Sequence, residues 1–142
     1  MIDRHETRAL AFQTLFNVMF ADGATQPTDV YPTVFSLAGI TEKDVPAYLD
    51  ELVTGVLAHQ PDLDTTIKAH LRSNWPLTRI ERTSLVILRL GVYELQYEPD
   101  LPTSVILNEM IELAKEFGGD SASQFVNGLL AAVAKNRDTA QA

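Results

Sequence analysis

The run LTRIERTSLVILRLGVYELQY, residues 77–97, constrains the fold more than any other part of the chain. Leu85, Leu88, Val92 and Leu95 fall on one side at helical spacing, and Ile87 and Leu90 add a second apolar stripe. A helix that is apolar on two sides must be covered on two sides, so this one belongs at the centre of a helical assembly. Pro76 precedes it and the turn EPDLP follows it.

The flanking segments repeat the same period. In RHETRALAFQTLFNVMFADG, Ala9, Phe12, Phe16 and Met19 recur at steps of three and four, and Gly23 is expected to end the helix. DVYPTVFSLAG reads as a short helix from an Asp29 cap to Gly39. The next helix carries Val45, Leu49, Leu52 and Val56 on one face and is expected to close at Pro61. DLDTTIKAHLRSNWP then forms a helix of its own, with Ile67 and Leu71 inward. After the central helix come TSVILNEMIELAKEFGG and DSASQFVNGLLAAVAKN, and the tail RDTAQA is expected to fray. About seven helices with short connections and no strand predict an all-α fold. The expected arrangement is one domain of two small packed helical bundles, a first lobe over about 1–75 and a second over about 76–137.

Several chemistries have no support in the sequence. There is no cysteine, hence no disulfide framework and no thiolate metal site, which fits a reducing cytosol. No apolar run is long enough to cross a bilayer, and MIDRHETRAL lacks a signal-peptide core, so a cytoplasmic location is expected. Neither G-x-G-x-x-G, the Walker pattern nor G-x-S-x-G occurs, and His5, His59 and His70 form no H-E-x-x-H pair. Glu109, Glu112 and Glu116 crowd one helix, but no nucleophile or base accompanies them, and Glu112 can pair with Lys115 on a solvated face. The expectation is therefore no enzyme, no cofactor and no metal. The formal charge of −8 repels phosphate, so a nucleic-acid role requires a local basic patch or a basic partner.

Two surface features stand out. Arg4 and Arg8 are four residues apart on one helical face, with His5 beside Arg4. Cations in the first turn oppose the helix dipole, so these arginines either serve a ligand or pair locally with Asp3 or Glu6. The second feature is Phe125. Val126, Leu129, Leu130 and Val133 define the core face of the last helix, and Phe125 falls about 90° from its centre. A rim ring near Ser121, Ser123 and Gln124 either offers a stacking platform for an unpaired base or packs under a neighbouring helix. Gly128, nearly behind the core face, permits close approach of another backbone, and Asn127 on the opposite rim can tie adjacent helices.

The segment LPTSVILNEMIELAKEFGGDSASQFVNGLL resembles the NusB family of bacterial transcription antitermination factors. The family pattern has a proline, an INE segment, ELAK.FG and FVNG.L at this spacing. RLGVYEL, NWPLTRI and RHETRALAFQTLF are similar to its central helix, the connector before it and its arginine-bearing first helix. The resemblance implies two helical bundles, no enzymatic activity, and binding of boxA-type single-stranded leader RNA together with the ribosomal protein NusE. It further implies assembly with other Nus factors and RNA polymerase, and in some members a homodimer.

Carried over by position, the resemblance assigns RNA contacts to Arg4, His5, Arg8, Phe16, Ser121, Ser123, Gln124 and Phe125. It assigns partner contacts to Ser84, Arg89 and Glu94. The chain departs from the family in its sparse N-terminal basic residues, DRHETR, and in Ser84–Leu85, where an acidic and a basic residue are common. If about two to four phosphates are neutralised, the slope of log affinity on log salt is about −1.5 to −3 for a single strand. The RNA-competent species is thus expected to be the heterodimer with NusE. The alternative is a protein-interaction adaptor with little RNA binding of its own.

Overall fold

The computed structural model describes residues 2–21, 25–41, 44–72 and 74–141, with side chains through Arg137. Among them are six α-helices and one 3-10 helix, and no strand. The α-helices are α1 (Arg4–Phe20), α2 (Pro27–Leu37), α3 (Ala47–Ala69), α4 (Arg82–Tyr97), α5 (Thr103–Gly118) and α6 (Asp120–Gln141). The 3-10 turn η1 (Leu77–Arg79) lies in the connector before α4. The expected stop at Gly23 lies outside the described residues. Two compact units emerge, Met1–Ala58 and His59–Ala142. The division falls within α3.

Two expected helices are one. Pro61 sits inside α3, which runs unbroken from Ala47 to Ala69. An interior proline removes one hydrogen bond and costs about 3 kcal/mol. Leu49, Leu52, Val53 and Val56 before it, and Leu63 and Ile67 after it, are all essentially fully buried. At about 1.5–3 kcal/mol per buried aliphatic side chain, burying both halves outweighs the break. Val45, read as part of this face, instead precedes the helix and is exposed.

In the first unit α1 packs on α2. Asp3 caps α1, its carboxylate accepting from Glu6 N at 2.8 Å. For α2 the cap is Gln26, and Asp29 sits at the third helical position, accepting from Gln26 N. Gly39, at φ +73°, ends the element as expected, and Ile40 N donates to Phe35 O beyond it. The buried Tyr31 hydroxyl donates to Asp50 Oδ1 at 2.9 Å and ties α2 to α3. Burial, then that hydrogen bond and the nearby carboxylate charge, push the phenol far above its ordinary pKa, so it remains a donor.

In the second unit α4, α5 and α6 pack against one another. Ile87, Leu88, Leu90 and Val92 of α4 are fully buried, as the two-stripe pattern requires. Gly91 lets the helices close in: a Cβ there would meet Leu130 Cδ1 at 2.6 Å and Met110 Cγ at 3.2 Å. Arg89 holds the C-terminal half of α3 to α4 through a bidentate pair with Asp64, at 2.8 and 3.0 Å. Beyond Asn136 the backbone stays helical to Gln141, since neither Gly nor Pro interrupts it. Arg137 pins this last stretch by donating to Glu98 O and Thr103 Oγ1. Where fraying was expected from Arg137, the described backbone is helical through Gln141.

Candidate nucleic-acid interface

Phe125 is placed by the paired glycines before α6. Gly119 has φ +87° and ψ −174°, a region open essentially to glycine alone. Its carbonyl accepts from Ser123 N and so starts α6. Gly118 provides clearance, because a Cβ there would lie 2.7 Å from Ala122 Cβ. Gly119→Ala should destabilise the protein by about 1–3 kcal/mol, measured by urea unfolding. An unchanged midpoint would show that the α5–α6 turn tolerates another backbone.

With α6 so started, Val126, Leu130, Val133 and Ala134 turn inward and are buried. Phe125 is 39% exposed, so its ring is reachable from solvent. The packed alternative for this rim residue does not hold. Ser121, Phe125, Gly128 and Ala132 form a stripe along α6, spaced by four, three and four residues. Small residues flank the one large ring, and they line a groove of about 630 Å³. No protein atom outside its own helix approaches a Cβ at Gly128 within 4 Å, so this glycine opens the groove instead of admitting a neighbouring backbone. Asn127 is exposed.

The opposite wall comes from the end of α3 and the connector: His70, Leu71, Arg72, Trp75, Arg79 and Ile80, with Glu81 and Ser84. Buried Ile80 anchors this segment. Trp75 N donates to Arg72 O and Arg79 N to Pro76 O, closing its turns. Trp75 is 41% exposed, and the Arg79 guanidinium lies 5.5 Å from its ring centroid. Among the described residues neither Arg72 nor Arg79 forms an ion pair. Two arginines against one carboxylate make the lining locally basic on a chain of charge −8. The periodic reading gave Trp75 to one helix and Leu77–Ile80 to the next, whereas α3 ends at Ala69 and α4 starts at Arg82. Only the family resemblance marked NWPLTRI as a connector, and the available signal was the chain's single tryptophan between two arginines.

The other expected residues separate by burial. Ser121 and Gln124 are exposed and line the groove with Phe125. Ser123 is buried, and its hydroxyl donates to Asp120 O at 2.8 Å. It serves the first turn of α6 and does not present a hydroxyl to a base. On α1, Arg4 is exposed with its guanidinium 4.0 Å from the Tyr48 ring centroid, so it is held by an aromatic face. Arg8 is only 2% exposed, which takes it off the surface as a phosphate contact. His5 and Phe16 are half-buried, and Phe16 lies between Phe12 and Phe20 at 5.7 and 4.7 Å. The residues expected to meet a partner are placed as follows. Ser84 and Glu94 are buried, and Arg89 is engaged by Asp64.

Among the described residues no group of His, Cys, Asp or Glu is placed to hold a metal ion, and no helix is long and apolar enough to cross a membrane.

Comparison with known proteins converges on one family. The chain is 42% identical over 127 residues to the transcription antitermination protein NusB of Limosilactobacillus fermentum, covering 89% of each. It is 40% identical over 136 residues to that of Lactiplantibacillus plantarum, covering 96% of this chain and 97% of the relative. Its fold is similar to a chain in a crystal structure of antitermination factors NusB and NusE in complex with double-stranded RNA. That likeness has a TM-score of 0.81, 28% identity, and coverage of 94% of this chain and 96% of the other. The sequence pattern of the NusB family matches residues 5–135, and the chain belongs to that family.

Proposed function

We propose that the chain is a bacterial transcription antitermination factor that engages boxA-type leader RNA jointly with NusE. In this reading it acts with other Nus factors on elongating RNA polymerase. The relatives at about 40% identity are antitermination proteins, and the similar solved structure holds NusE and RNA. The observation on this chain that carries the reading is the solvent-reachable Phe125 ring in a groove lined by arginine and small residues. Aromatic faces take unpaired bases, and nearby cations take the phosphates.

Phe125, Ser121 and Gln124 contact RNA directly in this reading, and Arg4 supplies a phosphate contact. Arg8 serves α1 from the interior. NusE docks through surface other than the Ser84 and Glu94 side chains. The acidic chain alone binds weakly, and a basic partner offsets its charge. A titration of labelled boxA-type RNA at two salt concentrations, with and without NusE, tests this. The chain alone should give a log–log salt slope of about −1.5 to −3, and the heterodimer a steeper slope with tighter binding. No RNA binding by either species would leave the alternative, an adaptor that engages proteins only.

A further inference from the structure

We propose that the connector carrying Trp75 and Arg79 is the second half of the RNA grip, so that the groove holds an unpaired nucleotide between an indole wall and the Phe125 wall. The inference rests on the RNA-binding reading above and extends it to residues outside the α6 motif.

Tryptophan is mostly buried in folded chains, yet the single Trp75 is 41% exposed and lines the same groove as Phe125, which is 39% exposed. Two reachable rings in one groove are more than a single platform. The groove is also lined by small or apolar residues: Ala122, Gly128, Leu129 and Ala132. Such a lining accepts a flat heterocycle without demanding a particular hydrogen-bond pattern. The polar lining comes from Ser121 and Gln124 on α6 and from Arg72 and Arg79 on the segment before α4.

Arg79 has a defined part. Its guanidinium lies against the indole at 5.5 Å, which braces the ring. A guanidinium held near a ring face still has N–H donors to offer a phosphate oxygen. The burial of Arg8 strengthens the case, because a phosphate contact expected on α1 is absent from the surface while two arginines line the groove. Charge complementarity selects the ligand class. Two arginines facing one carboxylate favour a polyanion with flat apolar bases over an acidic peptide, which offers no comparable flat faces.

The experiment uses the full chain with NusE and a labelled single-stranded boxA-type RNA of about 12 nucleotides, within the span of a single-strand site. Emission from Trp75, the only tryptophan, is followed in the same titration. Its quenching in step with RNA saturation is expected, with weaker binding when the strand is annealed to its complement. Trp75→Leu keeps apolar bulk but removes the π-face, and should weaken binding by about 5–150-fold; Trp75→Phe should recover most of it. A purely packing role would make Leu and Phe equivalent. Arg79→Gln should lower the magnitude of the salt slope by about 0.7. Thermal unfolding of each variant separates loss of fold from loss of contact.

If RNA binds and depends on Phe125, while Trp75 emission and the Trp75→Leu affinity are unchanged, the inference is overturned and the RNA-binding reading survives. Quenching by NusE alone, with no further change on RNA addition, assigns the groove to the protein partner and also overturns it. If neither the chain nor the heterodimer binds RNA, the broader reading falls first.

Discussion

Leu130→Ala is expected to destabilise the protein by about 2–5 kcal/mol, among the largest effects of a single side-chain truncation in the second unit. Leu130 is fully buried on α6, and its Cδ1 lies 2.6 Å from where a Cβ on Gly91 of α4 would stand. Met110 of α5, also fully buried, closes the third side. Truncation leaves a cavity that neither helix backbone can fill. The same geometry makes Gly91→Ala unfavourable in the native chain, by about 1–3 kcal/mol, because its methyl group must displace a packed leucine. In the Leu130→Ala background the sign should reverse. The Gly91 methyl then enters the vacated volume, and a helical alanine gains about 0.5–1 kcal/mol over glycine. Urea unfolding of the four proteins in this cycle measures the coupling directly. Additive effects would mean that α4 and α6 do not meet at this point.

For RNA, the largest expected loss follows Phe125→Ala. Removing a stacked aromatic face costs about 1–3 kcal/mol per base, or about 5–150-fold in affinity. Stability should change little, because the ring is 39% exposed and the core face of α6 lies elsewhere. Gly128→Ala provides the complementary measurement. The site is helical and exposed, with nothing within 4 Å of an added Cβ, so alanine should raise stability by about 0.5–1 kcal/mol. That methyl group also enters the groove beside Phe125, so RNA binding should weaken even as the fold strengthens. Thermal melts and RNA titrations should thus show raised stability for Gly128→Ala alone and weakened affinity for both variants. Tighter or unchanged binding by Gly128→Ala would remove this stripe of α6 from the interface.

Spacing alone placed Phe125 on the rim of α6 and, apart from the half-buried Leu85, both stripes of α4 in the interior. These readings succeed because helical period is local: a residue's angle about its axis follows from the residues beside it. Spacing equally put Arg4 and Arg8 on one face, and they do share it, yet one is exposed and the other sealed. Ser84 and Glu94 met the same fate. Whether a face is covered depends on other segments, and no local window contains them. Pro61 illustrates the converse: local chemistry disfavours helix there, and burial on both sides overrides it.

From the sequence alone came the all-α class, the central helix, the glycine pair that starts α6, and the family to which the chain belongs. The tertiary structure alone decided which arginines reach solvent, where α3 runs through its proline, and that the connector carrying Trp75 and Arg79 forms the wall facing Phe125. A connector has no apolar period to orient it. Its turns are local, but the burial of Ile80 that anchors it comes from the packed fold and not from a local pattern.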